Sequence, residues 1–224
     1  LPFNREISGK SFKQFIDDYL IGIFKTKYLL IGHDHHFGCD RANGFQEYKQ
    51  YGEEKGIVVE REDVFKFKDI VVSSSYIRKE IQSGNINHAK DALGYDYFIE
   101  GTVIPGFKVG KSIGFPTANV AVNDVRKLLP AAGVYAVTVN VDGSSKALKA
   151  MLYIGARPTF VNMSETKSIE VHIFDFDEDI YQKKIKVNFK HYIREEQKFD
   201  SASKLASQLN KDKQVVLDWF SKKK

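Results

Sequence analysis

Glu170 and His172 stand two residues apart in Ile169-Glu170-Val171-His172-Ile173-Phe174, where apolar residues alternate with polar ones. Alternation is strand patterning, so Ile169, Val171 and Ile173 share one face while Glu170 and His172 share the other. A lone strand glutamate is ordinarily a surface charge. On a strand whose second face lines a ligand site, it becomes a group that can do chemistry; His172 is its neighbour there, with no role assigned. A second stretch, Gly101 to Asn119 (GTVIPGFKVGKSIGFPTAN), sets Gly101, Gly106, Gly110 and Gly114 between Pro105 and Pro116. Such punctuation predicts a strand opening into an ordered loop, with no helix in it. Glycines let backbone N–H groups approach a ligand, and successive N–H groups form anion-binding concavities. Lys111 adds positive charge, while Ser112, Thr117 and Asn119 add small oxygen-bearing side chains. These are the parts for holding phosphates and a hard cation such as Mg²⁺, which takes oxygen ligands.

Gly110-Lys111-Ser112 is not a P-loop. That motif needs a glycine five positions before Gly110, where Pro105 stands, and it must open a helix. Two further stretches carry polar clusters. Gly32-His33-Asp34-His35-His36-Phe37-Gly38 follows a short apolar run. His33 and His35 would share a strand face, but no third ligand follows at metal-site spacing. Its position beyond the end of a strand is instead where open α/β sheets bind ligands. Ser73-Ser74-Ser75-Tyr76-Ile77-Arg78 enters a helix: a serine run is a helix cap, and a helix N-terminus with an arginine is also an anion site.

The elements that must position these residues divide into two kinds. Phe12, Phe15, Ile16, Tyr19, Leu20 and Ile23 fall at helical spacing, and Tyr28 to Ile31 reads as a buried parallel strand. A helix over Phe45 to Lys55, stopped by Gly56, and a strand at Ile57 to Val59 follow, the order of an α/β layer fold. Gly94-Tyr95-Asp96 reads as the junction, giving domains over 1–93 and 94–224. Beyond it come strands at Tyr97 to Ile104, Val134 to Val141, Leu148 to Ile154, Ser168 to Phe174 and Ile185 to Phe189. Asp142-Gly143 is a hairpin turn. Strands at these intervals predict a small antiparallel β-barrel, closed by helical segments from Ser201 where Leu205, Leu209, Val216 and Phe220 repeat.

Gly114-Phe115-Pro116-Thr117-Ala118-Asn119, with the glycine spacing upstream, resembles the GFPTAN signature of riboflavin kinases. Gly32-x-Asp34-x-x-Phe37-Gly38 and Ser73-Ser74-Ser75-x-Ile77-Arg78 are similar to two motifs of the FMN adenylyltransferase half of bacterial bifunctional riboflavin kinase/FAD synthetases. His35 stands where that family usually has phenylalanine, and Ser75 where it often has threonine. Ile154-Gly155-Ala156-Arg157-Pro158-Thr159 resembles the family's GxRPT turn, and Ile193-Arg194-Glu195-Glu196-x-Lys198-Phe199 its IRxExKF segment. The resemblance covers essentially the whole chain. It implies an incomplete Rossmann-like nucleotidyltransferase domain followed by a riboflavin-kinase barrel. It also implies ATP-dependent conversion of riboflavin to FMN, and of FMN to FAD in the full-length form. The residues it implies are Glu170 as catalytic base; Gly106, Gly110, Lys111, Ser112, Gly114 and Thr117 on ATP; Thr117 and Asn119 on Mg²⁺; and Arg194 on flavin. Gly32, Asp34, Phe37, Gly38, Ser74, Ser75 and Arg78 go to adenylyl transfer. A flavin-binding barrel without catalysis is the alternative.

The 224 residues suffice for one large or two small domains, and 42% hydrophobic content excludes disorder. No apolar run is long enough for a membrane span, and no signal peptide is visible. The single cysteine, Cys39, excludes an internal disulfide and suits a reducing cytoplasm. A net charge of +5 permits anionic partners without choosing among them. The aromatics fall in core-like patterns and not beside basic residues along a strand, which speaks against nucleic acid. The chain opens at Leu1-Pro2-Phe3 as though inside a domain, ahead of which the family carries a histidine-bearing nucleotide motif. FAD synthesis is therefore expected to be lost from this stretch as written, and riboflavin phosphorylation to be separable.

Overall fold

The structure, a computed structural model, describes residues 1–33, 35–40, 44–106, 109–124, 126–156 and 167–222. It divides into two compact units, Leu1–Val71 and Val72–Lys224. Among the described residues no helix is long and apolar enough to cross a membrane.

The first unit begins with a short helix α1 (Arg5–Ser8) and then α2 (Phe12–Phe15), opened by a capping box between Ser11 and Gln14. α2 runs on as a π-helical turn over Ile16–Ile21. Its wider bonds, such as Phe24 N–H to the Tyr19 carbonyl at 2.8 Å, rotate the following residues off the buried stripe. Phe12, Ile16 and Tyr19 are buried as the spacing predicts, whereas Ile23 is 60% exposed. Strand β1 (Tyr28–Ile31) runs parallel to β2 (Val58–Arg61), with α3 (Phe45–Glu54) between them in sequence. The expectation of a buried β1 holds only for one face. Ile31 is buried, but Tyr28 and Leu30 are half exposed, because among the described residues this sheet has two strands and α3 sits with its inward face. A small hairpin, β3 (Lys66–Phe67) with β4 (Ile70–Val71), ends the unit.

The second unit opens with α4 (Ser74–Gln82), where the Ser73 hydroxyl accepts from the Tyr76 N–H, and α5 (Ile86–Leu93), ended by Gly94. Gly94-Tyr95-Asp96 thus marks the end of a helix, and the compact units part further upstream. The reason is burial: Ile81, Ile86 and Ala89 belong to the same apolar core as the barrel. The barrel consists of β5 (Phe98–Ile104), β6 (Ala118–Val122), β7 (Gly133–Val141), β8 (Leu148–Ala156), β9 (Lys167–Ile173) and β10 (Lys184–Arg194). They close in the order β10-β5-β6-β9-β8-β7, every pair antiparallel. Aliphatic and aromatic residues on alternate positions fill the interior, among them Ile99, Val137, Leu152, Val171 and Phe189. Asp142 and Gly143 both take positive φ, the turn that joins two strands with their natural twist. Between β5 and β6 lies a single helical turn, α6 (Val109–Ser112). The final helix is continuous, α7 (Ala202–Ser221), capped by Ser201. Its Val216 packs outside the barrel against Ala136, Met151 and Phe174.

Candidate active site

Five side chains form a row across the outer wall of the barrel. Asn119 on β6 is the register partner of Glu170 on β9, and Glu170 of Tyr153 on β8. Tyr153 pairs in turn with Val134 on β7, and Val134 with Arg194 on β10. Register partners in antiparallel strands project to the same side, so the row is continuous. Two residues along β9, β8 and β7, and three along β10 where a register shift intervenes, runs a second row, His172, Met151, Ala136 and His191. α7 and Phe115 cover that second row. Where α7 stops covering the wall, a cavity of about 390 Å³ opens, lined among others by Thr117, Tyr153, Glu170, Arg194, Phe199 and Leu209.

The loop ahead of β6 brings Thr117 to this cavity. The expectation of no helix in it is corrected by α6, although the helix lasts one turn only. The Phe115 N–H donates to the Gly110 carbonyl at 2.8 Å and the Gly114 N–H to the Lys111 carbonyl at 3.3 Å. With Gly114 at φ +83°, this is the paired-bond stop that ends helices at glycine. Gly110 must lack a side chain, since a Cβ would lie 2.2 Å from the Phe115 carbonyl oxygen. Gly106 leaves room for Asn119, whose amide nitrogen would lie 1.9 Å from a Cβ there. The chain then reaches Thr117, whose hydroxyl donates to Glu170 Oε2 at 3.1 Å. Lys111 and Ser112 lie on the exposed outer side of the turn. A second cavity of about 520 Å³ flanks the loop, lined by Val103, Lys111, Pro116, Thr117, Phe176 and Tyr181 among others. Thr117 is common to both cavities.

Sequence reasoning named Arg194 and His172 but missed Asp212 and Tyr153. Arg194 lines the first cavity while its guanidinium is gripped by Asp212 on α7, at 2.7, 2.9 and 3.1 Å. Asp212 is 1% exposed and also accepts from Gln208 Nε2 at 2.9 Å. A signal for it was present: Asp212 falls on the apolar stripe of Leu209 and Val216, where an acid needs a buried partner. Tyr153 donates to Glu196; burial first, then that carboxylate, holds its phenol protonated far into the alkaline range. His172 is buried and its Nδ1 lies 2.7 Å from the Pro116 carbonyl. Arg157, Pro158 and Thr159 lie outside the described residues.

A family model described as riboflavin kinase matches residues 93–220, and one described as FAD synthetase matches residues 1–76. A bifunctional riboflavin kinase/FMN adenylyltransferase of Bacillus subtilis is 38% identical over 222 residues, covering 99% of this chain and 69% of that protein. The chain belongs to the bifunctional riboflavin kinase/FMN adenylyltransferase family. The protein of that name from Escherichia coli K12 is 33% identical over 218 residues, 97% of this chain and 68% of that one. A crystal structure described as a macrolide-efflux protein from Streptococcus pneumoniae superposes with a TM-score of 0.87 at 32% identity. The match covers 98% of this chain and 69% of that one. The family's activities are ATP-dependent phosphorylation of riboflavin to FMN and, in the full-length protein, adenylylation of FMN to FAD.

The stretches of the first 93 residues that resemble adenylyltransferase motifs fall in both compact units. Gly32, Phe37 and Gly38 line an apolar cavity of about 950 Å³ in the first. Phe37 stacks on Tyr48 with ring centroids 4.4 Å apart, and the Tyr48 hydroxyl donates to the Phe37 carbonyl at 3.0 Å. His35 is exposed, 6.4 Å from the Phe37 ring. Asp34 lies outside the described residues. Ser74, Ser75 and Arg78 are exposed on the first turns of α4, in the second unit, and Arg78 reaches Ser75 Oγ at 3.5 Å. Among the described residues no group of three His, Cys, Asp or Glu side chains could hold a metal ion.

Proposed function

We propose that the wall row of Asn119, Glu170, Tyr153 and Arg194 is the riboflavin-phosphorylating site, with Glu170 as its base. The observation that carries it is the contact from Thr117 to Glu170 at 3.1 Å, at the meeting of two cavities. The first cavity is walled by Ile113, Met151, Phe199 and Leu209, apolar surfaces suited to a flavin ring, with Arg194 at its rim. The second is lined by Lys111 and Thr117 and is suited to ATP phosphates; Gly106, Gly110, Ser112 and Gly114 are assigned to ATP on family likeness. The ribityl 5′-hydroxyl then meets the terminal phosphate beside Thr117.

Phosphoryl transfer asks mainly for alignment and charge neutralisation. Glu170 Oε2 is engaged by Thr117, leaving Oε1 to take the proton of the 5′-hydroxyl as its oxygen bonds to phosphorus and ADP leaves. The Thr117 hydroxyl, having turned its hydrogen to Glu170, presents lone pairs away from it. With the Asn119 amide it offers neutral oxygens, the donor type that suits Mg²⁺ held largely by substrate phosphates and water. Bound there, Mg²⁺ supplies charge neutralisation on the transferred group. For the first 93 residues we assign Gly32, Asp34, Phe37, Gly38, Ser74, Ser75 and Arg78 to adenylyl transfer, and we take 94–224 as the kinase domain. Both assignments rest on family likeness. A single cysteine, Cys39, favours a cytoplasmic location.

The test is to incubate the chain with riboflavin and ATP over a Mg²⁺ titration and to separate riboflavin, FMN and FAD. FMN is expected, and Thr117→Ala and Asn119→Ala should need more Mg²⁺ for half-maximal formation. No FMN at any Mg²⁺ would contradict the proposed site; unshifted titrations would remove the two residues from the metal.

A further inference from the structure

The β6–β9 ladder is short. Its paired residues are Ala118 with Val171 and Asn119 with Glu170, and the next pairs would be Thr117 with His172 and Pro116 with Ile173. Proline has no N–H to give, so the ladder cannot extend through Pro116. A side chain makes the missing connection. His172 Nδ1 lies 2.7 Å from the Pro116 carbonyl oxygen. A carbonyl only accepts, so Nδ1 carries the hydrogen, and in the neutral ring Nε2 is bare. The imidazole is 7% exposed and fixed edge-on by Phe115 at 5.2 Å and Phe174 at 5.6 Å. One ring therefore ties the turn that carries Thr117 to the strand that carries Glu170.

We propose that His172 is a positioning residue for riboflavin phosphorylation: its Nδ1–H holds the Pro116 carbonyl and thereby sets the Thr117 hydroxyl against the Glu170 carboxylate. This rests on the site proposed above. His172 touches neither reacting atom on this account. It acts through the turn on the alignment of Thr117 with Glu170, although its ring also borders the first cavity. Misplacement by an ångström at a reacting centre costs about a hundredfold in rate.

Asparagine and glutamine separate this from simple core packing. Asn places an amide donor near the position of Nδ1; Gln has the larger volume but carries its donor too far out. Three variants are compared, His172→Asn, His172→Gln and Glu170→Gln, by kcat, by KM for MgATP and by riboflavin affinity from fluorescence quenching. Unfolding midpoints are measured alongside. The expectation is that His172→Gln lowers kcat/KM for MgATP by about tenfold or more, beyond any change in riboflavin affinity, and that His172→Asn recovers most of the loss. Equal losses in the two His172 variants, or none in either, would overturn it. Should His172→Gln not fold, nitrogen-15 shifts of the imidazole in the unaltered protein decide: the Nδ1–H tautomer is expected, and the Nε2–H tautomer would overturn the proposal. Full activity in Glu170→Gln would instead overturn the site on which it rests.

Discussion

At the scale of single residues, His172 also makes stability depend on pH. Burial lowers its pKa from the ordinary 6.5; Lys213 works the same way, while the Pro116 carbonyl and Asp175 oppose. The charged or titratable groups around it are Glu170 and Asp175 on its own segment and Lys213 on α7. A folded-state pKa below the unfolded value means that the unfolded chain takes up the proton first. The contribution is whole above pH 6.5 and is lost as pH falls through that value toward the lower folded one. Urea midpoints measured from pH 7.5 downward should fall more steeply for the parent chain than for His172→Asn, in a window beginning near 6.5. Parallel curves would count against a buried neutral imidazole. Alternation alone put Glu170 and His172 on one face. What it could not give was the side of the wall that α7 leaves open, since that depends on contacts between residues far apart in sequence.

Among the elements, α7 contributes most that was unexpected. Its stripe was legible from Leu205, Leu209, Val216 and Phe220, yet Asp212 on the same stripe ties the helix to Arg194 at the cavity rim. The pair is nearly dry, with side chains 16% and 2% exposed. Removing one partner of such a pair costs about 3–5 kcal/mol, because the other charge stays buried alone. Asp212→Ala should therefore lower the unfolding free energy by about that amount and weaken riboflavin binding, read by denaturant titration and fluorescence quenching. A neutral result in both would mean that Arg194 finds water instead. Strand positions were readable because period-two patterns survive a barrel with one packed interior. The helical turn α6 was not, since its two terminating bonds need only four residues and one glycine at positive φ. The π-helical turn after Phe15 was equally invisible, and it is what turns Ile23 out to solvent.

Over the whole molecule, the two compact units and the two matching families divide the chain at different places. α4 and α5 bury Ile81, Ile86 and Ala89 with the barrel core, so a chain begun at Gly94 would uncover apolar surface that the longer one keeps dry. Composition and hydropathy could locate a β-rich region but not this attachment. The proposed site was read from the GFPTAN stretch and from the segment around Glu170, some fifty residues apart in sequence and brought within one hydrogen bond by β6 and β9. Glu170 as the base, lining the first cavity and held by Thr117 where the two cavities meet, is the central claim, and Glu170→Gln tests it most directly. The amide keeps the shape and can still accept from Thr117, but it cannot take the substrate proton. Turnover is expected to fall by roughly 10²–10⁴-fold while riboflavin and MgATP still bind. Turnover equal to the parent chain, at saturating riboflavin and MgATP, would contradict the account.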